Sequence, residues 1–348
     1  MKNKNKPKYN AAQNVGWMVK LAWQNRKRVL LFCLVTAILE VGLNLTQLYI
    51  APEILSRVET HAPLSELLGT IGFFTLILFL LQGLTDYVNQ NTMFPRVDIR
   101  TVLIGMLGRK SNMTSYPNTL DADYIKLQEK AHMACDSNRE AAEYIWHTLT
   151  QLLKNIGGFM VYLTILSHLD LLLLLVVIAT CLGGFLVSRY TNNWMFTHRE
   201  QEDQYYAKKR YIREKAQSVE LAKDIRIFGL QNWLNDLLND VHDVYLDFRL
   251  KVERKRLLAD ITEAVLTMLR NGVAYVYLIN MALHEGLNVP EFLLYFTAVT
   301  TFTTWIMGIL QEATKLHQQS LDLCQLREFL EYPEPFKFED GKPVSKAD

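Results

Sequence analysis

The sequence predicts an all-α membrane protein with six transmembrane helices and two long helical hairpins projecting from one side of the bilayer. Three observations carry that expectation. Apolar and charged residues fall in long alternating blocks, although half of the 348 residues are hydrophobic and 21% are charged. Six of the apolar blocks approach the roughly 20 residues that a helix needs to cross a bilayer. Lys and Arg are almost confined to one set of connecting segments, the pattern that orients membrane proteins.

Taken in order, the chain opens on a basic stretch, Lys2, Lys4, Lys6 and Lys8, followed by Val15–Trp23 and the cluster Arg26-Lys27-Arg28. The first apolar run starts only near Val29, is too long for a signal-peptide core and has no small-residue cleavage site. Residues 1–28 therefore read as a cytoplasmic N-terminus with a short amphipathic helix. Its tryptophans beside basic residues suit the membrane interface. The alternative is a frayed start of the first span.

A six-helix transmembrane domain is expected over 29–320. Its spans lie at about 29–50, 67–88, 145–166, 171–187, 261–283 and 292–310. The fourth, containing LLLLLVVIAT, is the most apolar. The third, fifth and sixth carry polar or charged residues, which suits helices packed around a polar interior.

Three connections are short: Ala51–Glu66, Ser167–Asp170 and His284–Glu291. Of the 37 Lys and Arg residues, these hold Arg57 alone, and Lys154 and Arg270 lie within spans. All the others fall on the opposite side, which is then the cytoplasm. An even span count places both termini there, in a multi-pass protein of the plasma membrane.

The two long segments, about 56 and 73 residues, show helical rather than strand patterning. Asp123–Ala134 and Tyr205–Arg226 are the clearest stretches. Pro117-Asn118 breaks the first segment, and Asp121 is a plausible helix cap. Spans two and three should continue past the bilayer and meet near residues 116–122; spans four and five should do the same. Small soluble domains are the alternative, but fifty-odd residues without metal ligands or cysteine frameworks would be marginal as one.

Several functions lack support in the residues. Cys33, Cys135, Cys181 and Cys324 form no CxxC pair and read as reduced thiols. The eight histidines show no HExxH spacing, and no GxSxG elbow occurs. A net charge of +1 gives no pull towards nucleic acid, and the basic hairpins lack interleaved aromatics. No metal site and no catalytic constellation is expected.

Three stretches carry a family resemblance. Glu220-Leu221-Ala222-Lys223-Asp224-Ile225-Arg226-Ile227-Phe228-Gly229-Leu230 resembles the "eIRlFg" segment that follows the second coupling helix of type I ABC exporters. Ser115–Tyr124 lies where the first coupling helix would be. Val15–Trp23 is similar to the elbow helix. Together with the span layout, the resemblance to that family's transmembrane domain extends over nearly the whole chain.

The resemblance implies a half-transporter, dimeric with a second identical or related half. It would move an amphiphilic small molecule, lipid or peptide out of the cytoplasm by alternating access. ATP and Mg²⁺ would bind a nucleotide-binding ATPase domain, towards which residues 321–348 would lead as a linker. The sequence departs from the family there. It holds no GxxxxGK[ST] phosphate loop and no LSGGQ-type signature. Gly108-Arg109-Lys110-Ser111 is only a superficial echo. The implied contacts to the ATPase domain are Pro117, Asn118, Asp121 and Tyr124 at one hairpin tip, and Lys215, Glu220 and Lys223 at the other. A rival of another class is a non-transporting assembly or receptor subunit on the same scaffold. A membrane-embedded enzyme is weaker, for want of clustered catalytic side chains.

Ionisable groups within spans are costly and usually face a cavity or a partner. Glu40, Lys154, Glu263 and Arg270 are of this kind, with Asn44 and Gln47 near the face of Glu40. Glu40, Asn44, Lys154, Glu263, Arg270, Thr300 and Thr304 are candidates for a polar translocation path. Lys154 pairing with an acidic neighbour, and threonines bonding helix to helix, are the simpler alternatives.

Overall fold

The computed structural model describes residues 7–167, 171–284 and 286–336. Lys2, Lys4, Lys6, most of the Ser167–Asp170 connection and the tail beyond residue 336 lie outside the described residues. Among the described residues the secondary structure is helical throughout, without strands. The helices are α1 (Ala11–Asn25), α2 (Arg28–Glu59), α3 (Leu64–Met113), α4 (Tyr116–Leu120), α5 (Ala122–Met133), α6 (Ala141–Leu166), α7 (Leu171–Gln217), α8 (Ala222–Ile227), α9 (Gln231–His284) and α10 (Val289–Leu330). The chain divides into two compact units. Residues 1–168 and 278–348 form one, and residues 169–277 the other.

Five helical stretches among the described residues are long and apolar enough to cross a membrane: α2, α3, α6, residues Leu173–Met195 of α7, and α10. The protein is therefore built as a multi-pass membrane protein. The sixth expected span, 261–283, is not among them. Glu263, Arg270, Asn271 and Asn280 dilute its apolar character, so the argument from an even span count loses its premise. In α3 the most apolar window buries nothing inside the protein. Phe73, Leu76, Phe79 and Leu80 stand exposed along it, as side chains in contact with lipid would.

Local chemistry sets several boundaries in the first unit. Asn10 caps α1: its side chain accepts from the Gln13 N–H at 2.8 Å, and Gln13 Oε1 accepts from the Asn10 N–H at 2.9 Å, a reciprocal capping box. At its other end α1 stops before Arg26, whose φ of −148° and ψ of 75° leave the helical region and separate it from α2. Its buried residues Asn14, Met18, Leu21 and Ala22 face the protein, and Asn14 Nδ2 donates to the Ser320 carbonyl at 2.9 Å on α10. Arg327 of α10 stacks its guanidinium 3.6 Å from the Tyr9 ring centroid. Where α2 turns into α3, Arg57 bridges Glu53 and Glu66.

A continuous core gathers Met18, Ala22, Val29, Cys33, Ile99, Leu103, Tyr124, Ala142, Trp146, Leu323 and Phe329. It welds α1, the Arg28 end of α2, the far half of α3, α5, the start of α6 and the end of α10. Arg100 and the buried Glu143 form an ion pair at 3.1 Å between α3 and α6. Further along, α6 and α10 pack through small residues. A Cβ at Gly158 would overlap the Trp305 ring, and one at Gly308 would lie 2.6 Å from Asn155. Phe159 and Phe302 stack with centroids 5.1 Å apart.

The first hairpin differs from expectation in one arm. Helix α3 runs unbroken for 50 residues, about 75 Å at 1.5 Å per residue. The return arm is interrupted between α5 and α6. Asp136, Ser137 and Asn138 occupy the break, with the Arg139 N–H donating to Ser137 Oγ at 3.3 Å. Such side chains compete with the helix for backbone partners.

In the second unit α7 and α9 run antiparallel. Gly183 lies against Leu266, Lys255 over the Trp194 ring at 4.8 Å, and Lys209 Nζ 3.1 Å from His242 Nδ1. Their turn contains α8 and Gly229, whose φ of 64° suits a residue without Cβ.

Candidate functional site

Two arrangements stand out in the first unit. The first is a polar groove between α2, α3 and α6, with a volume of about 330 Å³. From α2 come Glu40, Asn44 and Gln47; from α3, Gln82, Thr85, Asp86 and Asn89; from α6, Gln151 and Lys154. Leu43 is its sole apolar lining residue among those described. All three helices are apolar enough to span a membrane.

Lys154 Nζ lies 2.6 Å from Glu40 Oε2, with the two side chains 24% and 17% exposed. The ammonium also lies 5.9 Å from the Trp305 ring centroid. Lys154 therefore does pair with an acidic neighbour, and that pair lies in the wall of a cavity. Asn44 spends its amide on the Glu40 carbonyl at 2.8 Å. Asp86 accepts from Gln82 Nε2 at 2.9 Å, and no ion pair reaches it among the described residues. Helical spacing explains the convergence: Glu40, Asn44 and Gln47 recur at i, i+4, i+7; Gln82, Asp86 and Asn89 at the same spacing; and Gln151 and Lys154 at i, i+3.

The other predicted path residues are not among those lining this groove. Thr300 and Thr304 are exposed, because Ala298, Phe302, Trp305 and Ile306 form the buried face of α10. At 100° per residue, positions 300 and 304 point the opposite way. Glu263 and Arg270 belong to the second unit. Glu263 is exposed there, while Arg270 is buried and donates to Thr267 Oγ1 at 3.2 Å.

The second arrangement is at the tip of the first hairpin. After α10 the chain folds onto Ser115–Tyr124. Glu334 receives Lys110 Nζ, the Ser115 N–H at 2.7 Å, Ser115 Oγ at 2.8 Å, Thr114 Oγ1 at 3.1 Å and Asn118 Nδ2 at 3.2 Å. Burial pushes the Glu334 carboxyl up, but these donors outweigh it and hold it down at about 2. Tyr332 donates its hydroxyl to Asp121 Oδ2 at 2.7 Å. That bond holds the Asp121 carboxyl below its ordinary range and pushes the Tyr332 phenol up. Tyr124 is packed between Phe329 and Tyr332.

Asn118, Asp121 and Tyr124 are thus brought together, holding the segment that leaves α10, with Pro117 in α4 beside them. Lys110, from the echo of a phosphate loop, is committed to Glu334. At the tip of the second unit Lys215, Glu220 and Lys223 are exposed, as are Val219, Ile227 and Phe228.

Sequence reasoning missed Gln82, Asp86, Asn89 and Gln151. The i, i+4, i+7 spacing on α3 was the available signal. It also missed Glu334, which no local pattern marks.

No protein-family model matches this chain, and a search of the curated proteins finds no match either.

Proposed function

We propose that the chain is the membrane-spanning permease of an ATP-driven exporter, resembling the type I ABC exporter transmembrane domain. It takes cargo from the cytoplasm into the groove between α2, α3 and α6 and releases it outside by alternating access. The observation that carries this reading is the Glu40–Lys154 pair with Asp86, set in a cavity whose walls are apolar membrane-length helices. Ionisable groups carried on helices of this apolarity are costly and usually face a solute path or a partner.

Two further features support it. Helices α3, α7 and α9 are 50, 47 and 54 residues long, far beyond what a bilayer requires. Their excess forms stiff levers. The Glu220–Leu230 stretch lies at the turn between two of them. ATP hydrolysis belongs to a nucleotide-binding domain, on the same polypeptide or a partner, that pushes on the tips at Ser115–Tyr124 and Lys215–Lys223. Two halves assemble, and the basic segments face the cytoplasm.

The test is ATP turnover by the protein made from its complete reading frame, together with any ATPase partner that co-purifies, in lipid vesicles. Vanadate-sensitive turnover stimulated by a transported solute is expected. A purified, folded assembly without such turnover would leave the non-transporting subunit as the better reading.

A further inference from the structure

We propose that the cargo of this groove is a small hydrophilic amine: a protonated nitrogen carrying hydrogen-bonding groups, rather than an acyl-chain lipid or a bulky apolar drug. This rests on the transport reading and narrows it.

Charge comes first. Glu40 and Lys154 neutralise one another across 2.6 Å. Among the described residues Asp86 has only the Gln82 amide, 2.9 Å away on its own helix. The groove therefore carries one carboxylate, Asp86, that no cation of the described residues reaches, exposed to the groove at the end of the second apolar block. A carboxylate there attracts a partner of opposite sign, and a cationic cargo supplies it.

Polarity comes second. The side chains of Gln47, Asn89 and Gln151 line the cavity and make no hydrogen bond to the described protein. Each offers donors and an acceptor. Lipid tails cannot satisfy them; hydroxyls, amines or amides can. Leu43 alone offers apolar contact, whereas sites for apolar ligands are lined mainly by hydrophobic and aromatic side chains. Size comes third. About 330 Å³ lies at the small end of ligand cavities.

The cargo ammonium sits against Asp86, the Gln82 amide turning to share it. The remaining polar groups of the cargo meet Asn89, Gln47 and Gln151. The Glu40–Lys154 pair stays closed and fixes the opposite wall.

Binding is measured calorimetrically on the full chain in lipid nanodiscs. The probes are glucosamine, putrescine and glycyl-lysine amide, each beside its form acetylated at every amine, with tetraphenylphosphonium as the apolar cation. At least one amine binds, and acetylation of its amine weakens binding about tenfold or more. Asp86→Asn weakens binding about ten- to hundredfold, the loss of one charge-assisted contact, while Asp86→Glu retains most of it. Thermal unfolding of each variant without ligand confirms that it is folded. The proposal is overturned if no amine binds the folded protein, if the acetylated forms bind equally, if tetraphenylphosphonium binds more tightly than every amine, or if Asp86→Asn binds unchanged. Failure here, with ATP turnover still stimulated by a lipid or apolar cation, overturns the cargo class and leaves the exporter reading standing. Absent turnover overturns the exporter reading itself.

Discussion

Replacing Glu334 by Gln should loosen the segment that follows α10 from the first hairpin tip without disturbing the spans. The carboxylate there accepts from Lys110, Thr114, Ser115 and Asn118 and titrates at about 2 instead of 4.5. That displacement corresponds to about 3 kcal/mol in favour of the bound, ionised form. The side chain is 27% exposed, so solvent screening reduces the effective value to about 1–2 kcal/mol. Glutamine keeps one acceptor oxygen and introduces an NH₂ facing a row of donors. The open population of the strap should then rise about 5- to 30-fold. Hydrogen–deuterium exchange reads this directly, because the Ser115 N–H donates to Glu334 at 2.7 Å. Its protection should fall by that factor, while amides in the middle of α2 and α6 keep theirs. The folded carboxyl titrates below its ordinary value, so the contribution is complete above about pH 4.5 and is lost as pH falls towards 2. Lowering the pH from 7 to 5 should leave the strap closed. Unchanged Ser115 exchange in Glu334→Gln would refute the reasoning.

Three further outcomes follow from the packing. Lys154→Met or Glu40→Gln alone leaves an unpaired, half-buried charge and should cost about 1–3 kcal/mol, between the values for exposed and fully buried pairs, whereas the double variant recovers part of it. Melting temperatures in detergent should therefore rank wild type, double, then singles, and strictly additive losses would contradict the pairing. Gly158→Ala drives a methyl into the Trp305 ring and should cost about 1–3 kcal/mol. Gly157→Ala meets Val41 at an ordinary 3.5 Å and should be neutral or stabilising, since Ala is the better helix former; equal melting temperatures for the two would remove the distinction. Cys135 is buried, and desolvation pushes its thiol up to about 12 despite the nearby Arg100. It should resist maleimide at pH 7.5 until the protein is unfolded, and rapid labelling of the native protein would count against that burial.

Much of the helical architecture was legible because membrane helices announce themselves by length and apolarity, which do not depend on neighbours. Glu40, Asn44 and Lys154 were legible for a related reason: a charge inside an apolar run stands out in one dimension. Asp86 and Asn89 were not. They close the second apolar block, where a polar residue looks like the end of a span, and their orientation depends on how α3 is rotated against α2. With apolar side chains all around most of the α3 span, only the i, i+4, i+7 series Gln82, Asp86 and Asn89 marks that rotation. Thr300 and Thr304 fall on the exposed face of α10 for the complementary reason. A threonine-rich helix has several plausible polar faces, and packing of Phe302 and Trp305 against α6 chose the buried one. The break between α5 and α6 was written in Asp136-Ser137-Asn138, three residues that favour turns. The Glu334 strap unites residues about 220 positions apart, and no local signal encodes such a meeting.

The most direct test of the central claim is ATP-dependent accumulation of a labelled solute in inside-out vesicles. The vesicles carry the protein made from its complete reading frame with any ATPase partner, and the solute is one that binds the groove. The account predicts accumulation with ATP, none with a non-hydrolysable analogue, and a sharp loss in Asp86→Asn at normal membrane levels of protein. Accumulation undiminished in Asp86→Asn and in the Glu40→Gln/Lys154→Met double variant would contradict it, because cargo would then be crossing the membrane somewhere other than between α2, α3 and α6.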